Sequence, residues 1–185
     1  MLYLLKSGKI VNTLRNYRKY HRWIGVFLSM FILISSLTGI LLSWKKQSDL
    51  IQPPTQLVKQ ETNEPWLAIE EMEMIASRAL KKHQPEIQNK IDRIDIRPGK
   101  GVAKVLFEQG YWEVQLDGYN GGVLSVERRY SDLIEQLHDG SFFGENFKLL
   151  AMNVLGTGLV VMVITGLVLW YCPKIVRKRK KHPFR

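Results

Sequence analysis

Two of the four histidines, His21 and His138, stand shortly before long uncharged stretches of the chain. An imidazole titrates near neutral pH and is a common metal ligand, so a histidine in such a place can hold a metal or move a proton. The other two are typical of solvent-exposed residues, because His83 ends a polar helical segment and His182 lies in a basic tail. We therefore treat His21 and His138 as the candidate site residues.

The stretches that follow these histidines, residues 23–44 and 149–171, contain no charged residue. A helix of about 22 residues is roughly 33 Å long, which is close to the thickness of a bilayer core. Aromatic residues that favour the membrane interface stand at their ends: Trp23, Trp44, Trp170 and Tyr171. The alternative, a pair of buried core helices, is disfavoured because a chain of 185 residues can hardly enclose both. The pattern predicts two transmembrane helices.

The net charge of +10 is distributed unevenly along the chain. The two flanks outside the apolar stretches carry 13 basic residues and no acidic one, whereas all 17 acidic residues lie between the stretches. The positive-inside rule then places both termini in the cytoplasm and the middle segment outside. We expect the basic tail to contact anionic lipid, so the predicted partner is the bilayer and not a nucleic acid.

The segment between the apolar stretches changes from a helical to an alternating pattern. Residues 66–83 have apolar positions at helical spacing, with acidic residues in the first turns and basic ones at the end. Three alternating segments separated by glycines follow: "KIDRIDIRP", "GVAKVLFEQ" and "YWEVQLDGYNGGVLSVERR". This order predicts one helix and then three or four antiparallel strands.

The predicted fold class is therefore a membrane α-helical protein with two transmembrane helices and a small extracytoplasmic α+β domain. Its segments are a cytoplasmic basic segment (1–22), the first transmembrane helix (23–44), a linker (45–61), the α+β domain (62–129), an interfacial segment (130–148), the second transmembrane helix (149–171) and a cytoplasmic polybasic tail (172–185).

Small residues follow His21 along one face of the first predicted helix. They recur at intervals of three, four or seven residues: Gly25, Ser29, Ser36 and Gly39. Such a stripe lets helix backbones approach closely, so a helix–helix seam alone explains it. An ionisable residue at the head of the seam favours a functional role in addition.

A Thr-Gly phrase occurs once in each apolar stretch, as "SSLTGILLSW" and as "VITGLVLWY", which contains Gly166. Because the two predicted helices run in opposite directions, the phrases belong at opposite faces of the membrane, each level with one histidine. We interpret Gly166 as a packing position. Chance recurrence of a dipeptide that is common in membrane helices remains the alternative.

Three segments carry a resemblance to a known family. The strand pair "VQLDGYNGGVLSVERR" looks like the closing strands of a PepSY domain. The segments "YHRWIGVFLSMFILISSLTGILLSW" and "LHDGSFFGENFKLLAMNVLGTGLVVMVITGLVLWY" resemble the two helices of PepSY-associated transmembrane proteins. The resemblance implies a PepSY-like domain at 62–129 and a location in the bacterial inner membrane. Longer members of this family include siderophore and iron-related reductases that carry haem on membrane histidines.

The leading hypothesis is accordingly a haem b protein that moves electrons across the membrane toward a periplasmic flavoprotein or a ferric siderophore. His21 and His138 are the expected iron ligands, and Arg22 is expected to pair with a haem propionate. Because the two histidines belong at opposite faces, bis-histidine ligation requires a homodimer or a larger membrane complex. The chain would then be the membrane component of a reductase. Two alternatives remain open: a haem-free, membrane-tethered binding or regulatory module, and an accessory subunit of a larger complex.

The charge distribution predicts the topology directly. Alkaline phosphatase, which is active only outside the cytoplasm, should be active when fused after Gly110 and inactive when fused at the C-terminus, because the basic flanks are retained inside. The opposite activity pattern would show that the predicted orientation is wrong.

Overall fold

The computed structural model describes the backbone of residues 2–58 and 65–181 and the side chains of residues 12–58 and 65–174. Predictions for His182 and for most basic side chains of the tail lie outside these residues. In chain order, the elements are helix α1 (Leu2–Ser43), helix α2 (Ile69–His83), strand β1 (Ile91–Arg97), strand β2 (Val102–Phe107), strand β3 (Trp112–Asp117), strand β4 (Val123–Arg128), helix α3 (Tyr130–Asp139) and helix α4 (Glu145–Lys181), with 3₁₀ turns at Pro98–Lys100 and Ser141–Phe143.

The chain divides into two compact units. One contains the residues before Thr38 together with those after Gln136, and the other is Thr38–Gln136. The first unit is built on α1 and α4, and the second contains the four strands and α2.

Within the described residues, Asn12–Ser43 of α1 and Glu145–Lys174 of α4 are long and apolar enough to cross a membrane. In the most apolar part of α1 only 6% of the residues are buried by the rest of the chain, and in the most apolar part of α4 none are. A core helix of a soluble protein would be covered, so this exposure favours lipid as the surrounding medium. The predicted stretch 149–171 lies inside α4, whereas the predicted stretch 23–44 extends one residue beyond the end of α1 at Ser43. Helix α1 also continues through most of the basic segment 1–22.

The four strands form one antiparallel sheet in the order β1-β2-β3-β4. Each strand is therefore joined to its neighbour by a short turn, as the glycine-separated alternating pattern predicts. The turn between β3 and β4 requires glycine at Gly121, because its φ is +74° and a Cβ atom would lie 2.6 Å from Cδ1 of Ile75. One helix followed by four strands agrees with the predicted α+β arrangement.

Helix α2 covers one face of this sheet. Its buried residues Met72, Ala76 and Leu80 pack in one cluster with apolar residues of the two central strands, among them Val105 and Val114. These strand residues face each other across the β2–β3 ladder. Apolar burial on this face supplies the main stabilisation of the second unit.

On the opposite face, the two central strands also bury charged and polar side chains, which the alternating pattern did not predict. Lys104 is 1% exposed, and Glu113 and Gln115 are 0% exposed. Residues 54–56, which belong to the predicted linker 45–61, contact this face: the side chain of Gln115 donates to the carbonyl of Pro54 and accepts from the backbone N–H of Gln56, each at 3.0 Å. The described part of this segment is therefore bound along the sheet.

The carboxylate of Glu113 is the centre of this polar face. Its Oε1 lies 2.9 Å from Nζ of Lys104, and its Oε2 lies 3.0 Å from Nη1 of Arg129. Nε of Arg129 is in turn 2.9 Å from Oδ1 of Asp132 in α3. One buried acid thus connects β2, β3 and the start of α3.

Replacing Glu113 by alanine should lower the free energy of unfolding of the second unit by about 3–5 kcal/mol, because Lys104 and Arg129 would remain buried without their shared partner. The measurement is urea unfolding of the detergent-solubilised protein followed by circular dichroism in the β region. Glu127→Ala is the matched control, since Glu127 lies opposite Glu113 in the β3–β4 register but is exposed. Equal effects of the two substitutions would contradict the role given to Glu113.

Candidate functional site

The side chain of His21 contacts α4. Its Nδ1 atom lies 2.7 Å from Oγ1 of Thr165, and this hydrogen bond joins two residues that are far apart in the sequence. Thr165 is 9% exposed and His21 is half-buried. The imidazole is therefore oriented by a fixed group on the neighbouring helix.

The hydroxyl of Thr165 determines which nitrogen of His21 carries the proton. Oγ1 of Thr165 lies 2.7 Å from the carbonyl oxygen of Val161, to which it donates. Since a hydroxyl has one hydrogen, Oγ1 accepts from His21, and Nδ1 is the donor. We assign this tautomer from the hydrogen-bond network. In the neutral imidazole, Nε2 then keeps its lone pair and can act as a ligand.

Gly166 leaves room beside the imidazole of His21. A Cβ atom at this position would lie 3.6 Å from Cε1 of His21, in ordinary van der Waals contact. The Thr-Gly phrase of α4 therefore meets His21 with both of its residues, one by a hydrogen bond and one by close approach.

His138 lies in the last turn of α3 and contacts α1. Its Nδ1 atom is 3.5 Å from Oγ of Ser35, at the limit of hydrogen-bond distance. Ser35 opens the first Thr-Gly phrase, and it lies about 14 residues or roughly 21 Å along α1 from His21. The structure therefore places the two histidines at separate levels along α1: His21 contacts a hydroxyl of α4, and His138 of α3 contacts a hydroxyl of α1.

An ion pair follows His138 in the sequence. Nζ of Lys148 lies 2.8 Å from Oδ2 of Asp139, which also accepts from the backbone N–H of Ser141 through Oδ1. Partial burial by itself raises the pKa of the Asp139 carboxyl, but the hydrogen bonds from Lys148 and Ser141 together hold that pKa below its ordinary value. This pair fastens the turn between α3 and α4 beside His138.

The packing between α1 and α4 is centred on Leu28, which is 2% exposed. Gly158 of α4 leaves space for it, since a Cβ atom on this glycine would lie 2.7 Å from Cδ1 of Leu28. Gly25 contributes in the same way, because its Cβ position is 3.0 Å from Cε of Met162. A leucine inserted against a glycine therefore forms the centre of the seam within one chain.

The other predicted residues are distributed around α1. Ser29, Ser36 and Arg22 are exposed, and Gly39 is half-buried. The contact of Ser29 and Ser36 with another protein chain stays a prediction, and so does the pairing of Arg22 with a propionate. The stripe of small residues did not reveal Leu28 or Gly158, because their role depends on which face of α4 meets α1.

Two further residues with metal-binding side chains, His83 and Cys172, do not take part in these contacts. His83 is exposed and its ring lies 5.5 Å from the ring of Trp112. Cys172 is a half-buried free thiol. In the part of the chain that the structure describes, no three His, Cys, Asp or Glu side chains come together as a metal-binding group.

Replacing Gly158 by valine should weaken the packing of α1 against α4 by about 1–3 kcal/mol, because the added side chain overlaps the buried Leu28. Gly156→Val is the matched control, since nothing lies within 4 Å of the Cβ position of this second glycine. The measurement is the thermal midpoint in detergent followed by circular dichroism in the helical region. A Gly156 variant that loses as much stability as the Gly158 variant would contradict this packing.

The comparison with known families covers nearly the whole chain. A family model described as a PepSY-associated TM region matches residues 18–185. A search of the curated proteins found no match to the chain. The family match spans both apolar helices, the sheet and both candidate histidines, and the chain belongs to the PepSY-associated TM region family.

Proposed function

We propose that this protein is a membrane haem b protein that carries electrons across the bilayer toward a periplasmic flavoprotein or a ferric siderophore. Membership of the PepSY-associated TM region family and the two exposed apolar helices support its location in a membrane. The bacterial inner membrane, with both termini cytoplasmic and the sheet unit periplasmic, is the proposed site, because the basic residues are concentrated in the flanks.

The observation that carries the proposal is the hydrogen bond between His21 and Thr165. Histidines that bind a metal through one ring nitrogen usually donate the other N–H to a fixed acceptor, which sets the tautomer and the orientation of the ring. His21 has this arrangement, with Nδ1 at 2.7 Å from Thr165 and Nε2 available. The hydrogen bonding of the His21 imidazole therefore fits the role of an axial haem ligand.

His138 would be the ligand at the second level. Its Nδ1 atom lies 3.5 Å from Oγ of Ser35, at the limit of hydrogen-bond distance.

A single chain offers one of these two imidazoles at each level, so bis-histidine ligation needs a second chain. A homodimer with two-fold symmetry would supply a second copy of each histidine at the same depth. The exposed face of α1 that contains Ser29 and Ser36 is a candidate contact surface, because small residues allow a close approach. A larger membrane complex is the other arrangement that would meet this requirement.

When bound, haem would supply the one-electron chemistry. The chain's own residues would do the rest: His21 and His138 would bind the iron, Thr165 would orient the imidazole of His21, and Arg22, which follows His21 in α1, would pair with a propionate. The apolar helices exclude water from the electron path. In this proposal the chain is the membrane component of a reductase, and the sheet unit faces the acceptor.

Haem titration of the purified protein tests the proposal through the Soret absorbance. The wild-type protein should bind haem, His21→Ala and His138→Ala should each lose part of the absorbance, and the double variant should lose nearly all of it. His83→Ala is the control and should lose none, because His83 lies in the sheet unit.

The same titration separates ligation by His21 from its orientation by Thr165. Thr165→Val removes the hydroxyl and keeps the size, so haem affinity should fall by about 10–100-fold. Thr157→Val, at an exposed position of α4, should leave the affinity unchanged. A wild-type protein that shows no Soret band with ample haem would overturn the proposal in favour of a haem-free binding module.

A further inference from the structure

An open groove of about 500 Å³ lies between α2 and β4. Its floor is apolar and its rim is basic. The floor consists of Ile75, Ala79, Val123 and Val126. The rim consists of the exposed residues Arg78, Lys82 and His83 in the last turns of α2.

The strand beside this groove is an edge of the sheet, because β4 is last in the strand order. Among the described residues, no strand pairs with its outer side. Backbone groups on such a side are a template for a further strand. The residues "VLSV" at the start of β4 carry no charge, and Val123 and Leu124 are 47% and 37% exposed.

The other edge of the sheet is protected. Strand β1 carries four charged residues within "IDRIDIR", namely Asp92, Arg93, Asp95 and Arg97. Charged side chains on an edge discourage the addition of another chain. Only Glu127 and Arg128, at the end of β4, are comparable. The two edges differ, and the less protected one borders the groove.

We propose that an extended peptide segment of another protein adds to β4 as a fifth strand. Alternate side chains of a strand point to the same face, so every second residue of the peptide would lie between α2 and β4. Those residues are apolar where they cover Ile75, Ala79 and Val126. Carboxylates of the peptide contact Arg78 and Lys82, because the rim is basic. The partner is thus an acidic segment with alternating apolar residues.

The mode of binding is that of a peptide held between a helix and an edge strand. Backbone hydrogen bonds supply affinity, and the groove and its charges supply selectivity. The pairing of β4 with β3 is irregular between Gln115 and Leu116, so the regular part of the edge is Ser125–Arg128, which shares Ser125 and Val126 with the uncharged start of the strand. A docked segment of about four to six residues matches this length.

The probes are two labelled hexapeptides in which valine and threonine alternate. One peptide carries two aspartates at its amino end, and the other carries two aspartates at its carboxyl end. With full-length protein in detergent, at least one of them should bind, and its lysine-substituted counterpart should bind about tenfold more weakly. Hydrogen exchange should show new protection of the backbone amides of β4 in the presence of the peptide.

A variant in which the basic charges of the groove rim are reversed tests whether the rim selects acidic peptides. Arg78→Glu combined with Lys82→Glu should weaken the aspartate peptide by about tenfold and should improve binding of the lysine peptide. The matched control is Arg97→Glu with Lys100→Glu, which makes the same change in charge at the end of β1 and in the turn after it and should leave both peptides unaffected.

Three results would overturn the inference: no binding of either aspartate peptide at about 1 mM, equal binding by wild-type and groove-reversed protein, or binding without added protection of β4. Oleate tests whether the groove binds an anionic amphiphile instead of a peptide. If oleate displaces the peptide but does not itself protect the β4 amides from exchange, the strand addition is supported. Protection of β4 by oleate alone would assign the groove to an anionic amphiphile and overturn it.

Discussion

A fully buried carboxylate is the constraint around which the sheet unit is built. Glu113 is 0% exposed, so its charge must be balanced within the protein. Lys104 and Arg129 supply the balance at 2.9 and 3.0 Å. Gln115, which also donates to Glu113, holds residues 54–56 against the same face. The sheet therefore has an apolar face under α2 and a charged face under the chain that follows α1.

The same network fixes the chain after the sheet. Arg129 bonds to Asp132, and the backbone N–H of Ser131 donates to the carbonyl of Ile51 at 2.7 Å. Lys45 and Glu135 form a further pair at 2.6 Å. The chain that leaves α1 and the chain that enters α3 are thus tied to each other inside the sheet unit. A peptide bound to β4 would therefore contact a unit in which the chain after α1 and the start of α3 are already bonded to each other.

The unit built on α1 and α4 is stabilised differently from the sheet unit. Its outer surfaces are apolar, and polar side chains such as His21 and Thr165 contact each other between the helices. The His21–Thr165 bond and the Leu28–Gly158 contact combine one directional interaction with one close packing. This combination gives a helix pair that can hold an imidazole in one orientation.

The sequence by itself determined which helices and strands form. Two uncharged stretches, a helical period and three alternating segments depend on local side-chain pattern, and they predicted the two long helices, α2 and the antiparallel strands. The histidines before each stretch and Gly166 were selected as candidates from their positions, and their functional roles stay predictions.

Only the tertiary structure decided which faces meet. Thr165 is the partner of His21, and Gly158 receives Leu28, because α4 presents that face to α1. The alternating pattern did not say whether Lys104 and Glu113 are covered. Both are buried, and the segment after α1 bonds to Gln115 on the same face. Periodicity reports how residues are spaced within one element, whereas burial depends on what another part of the chain places against it.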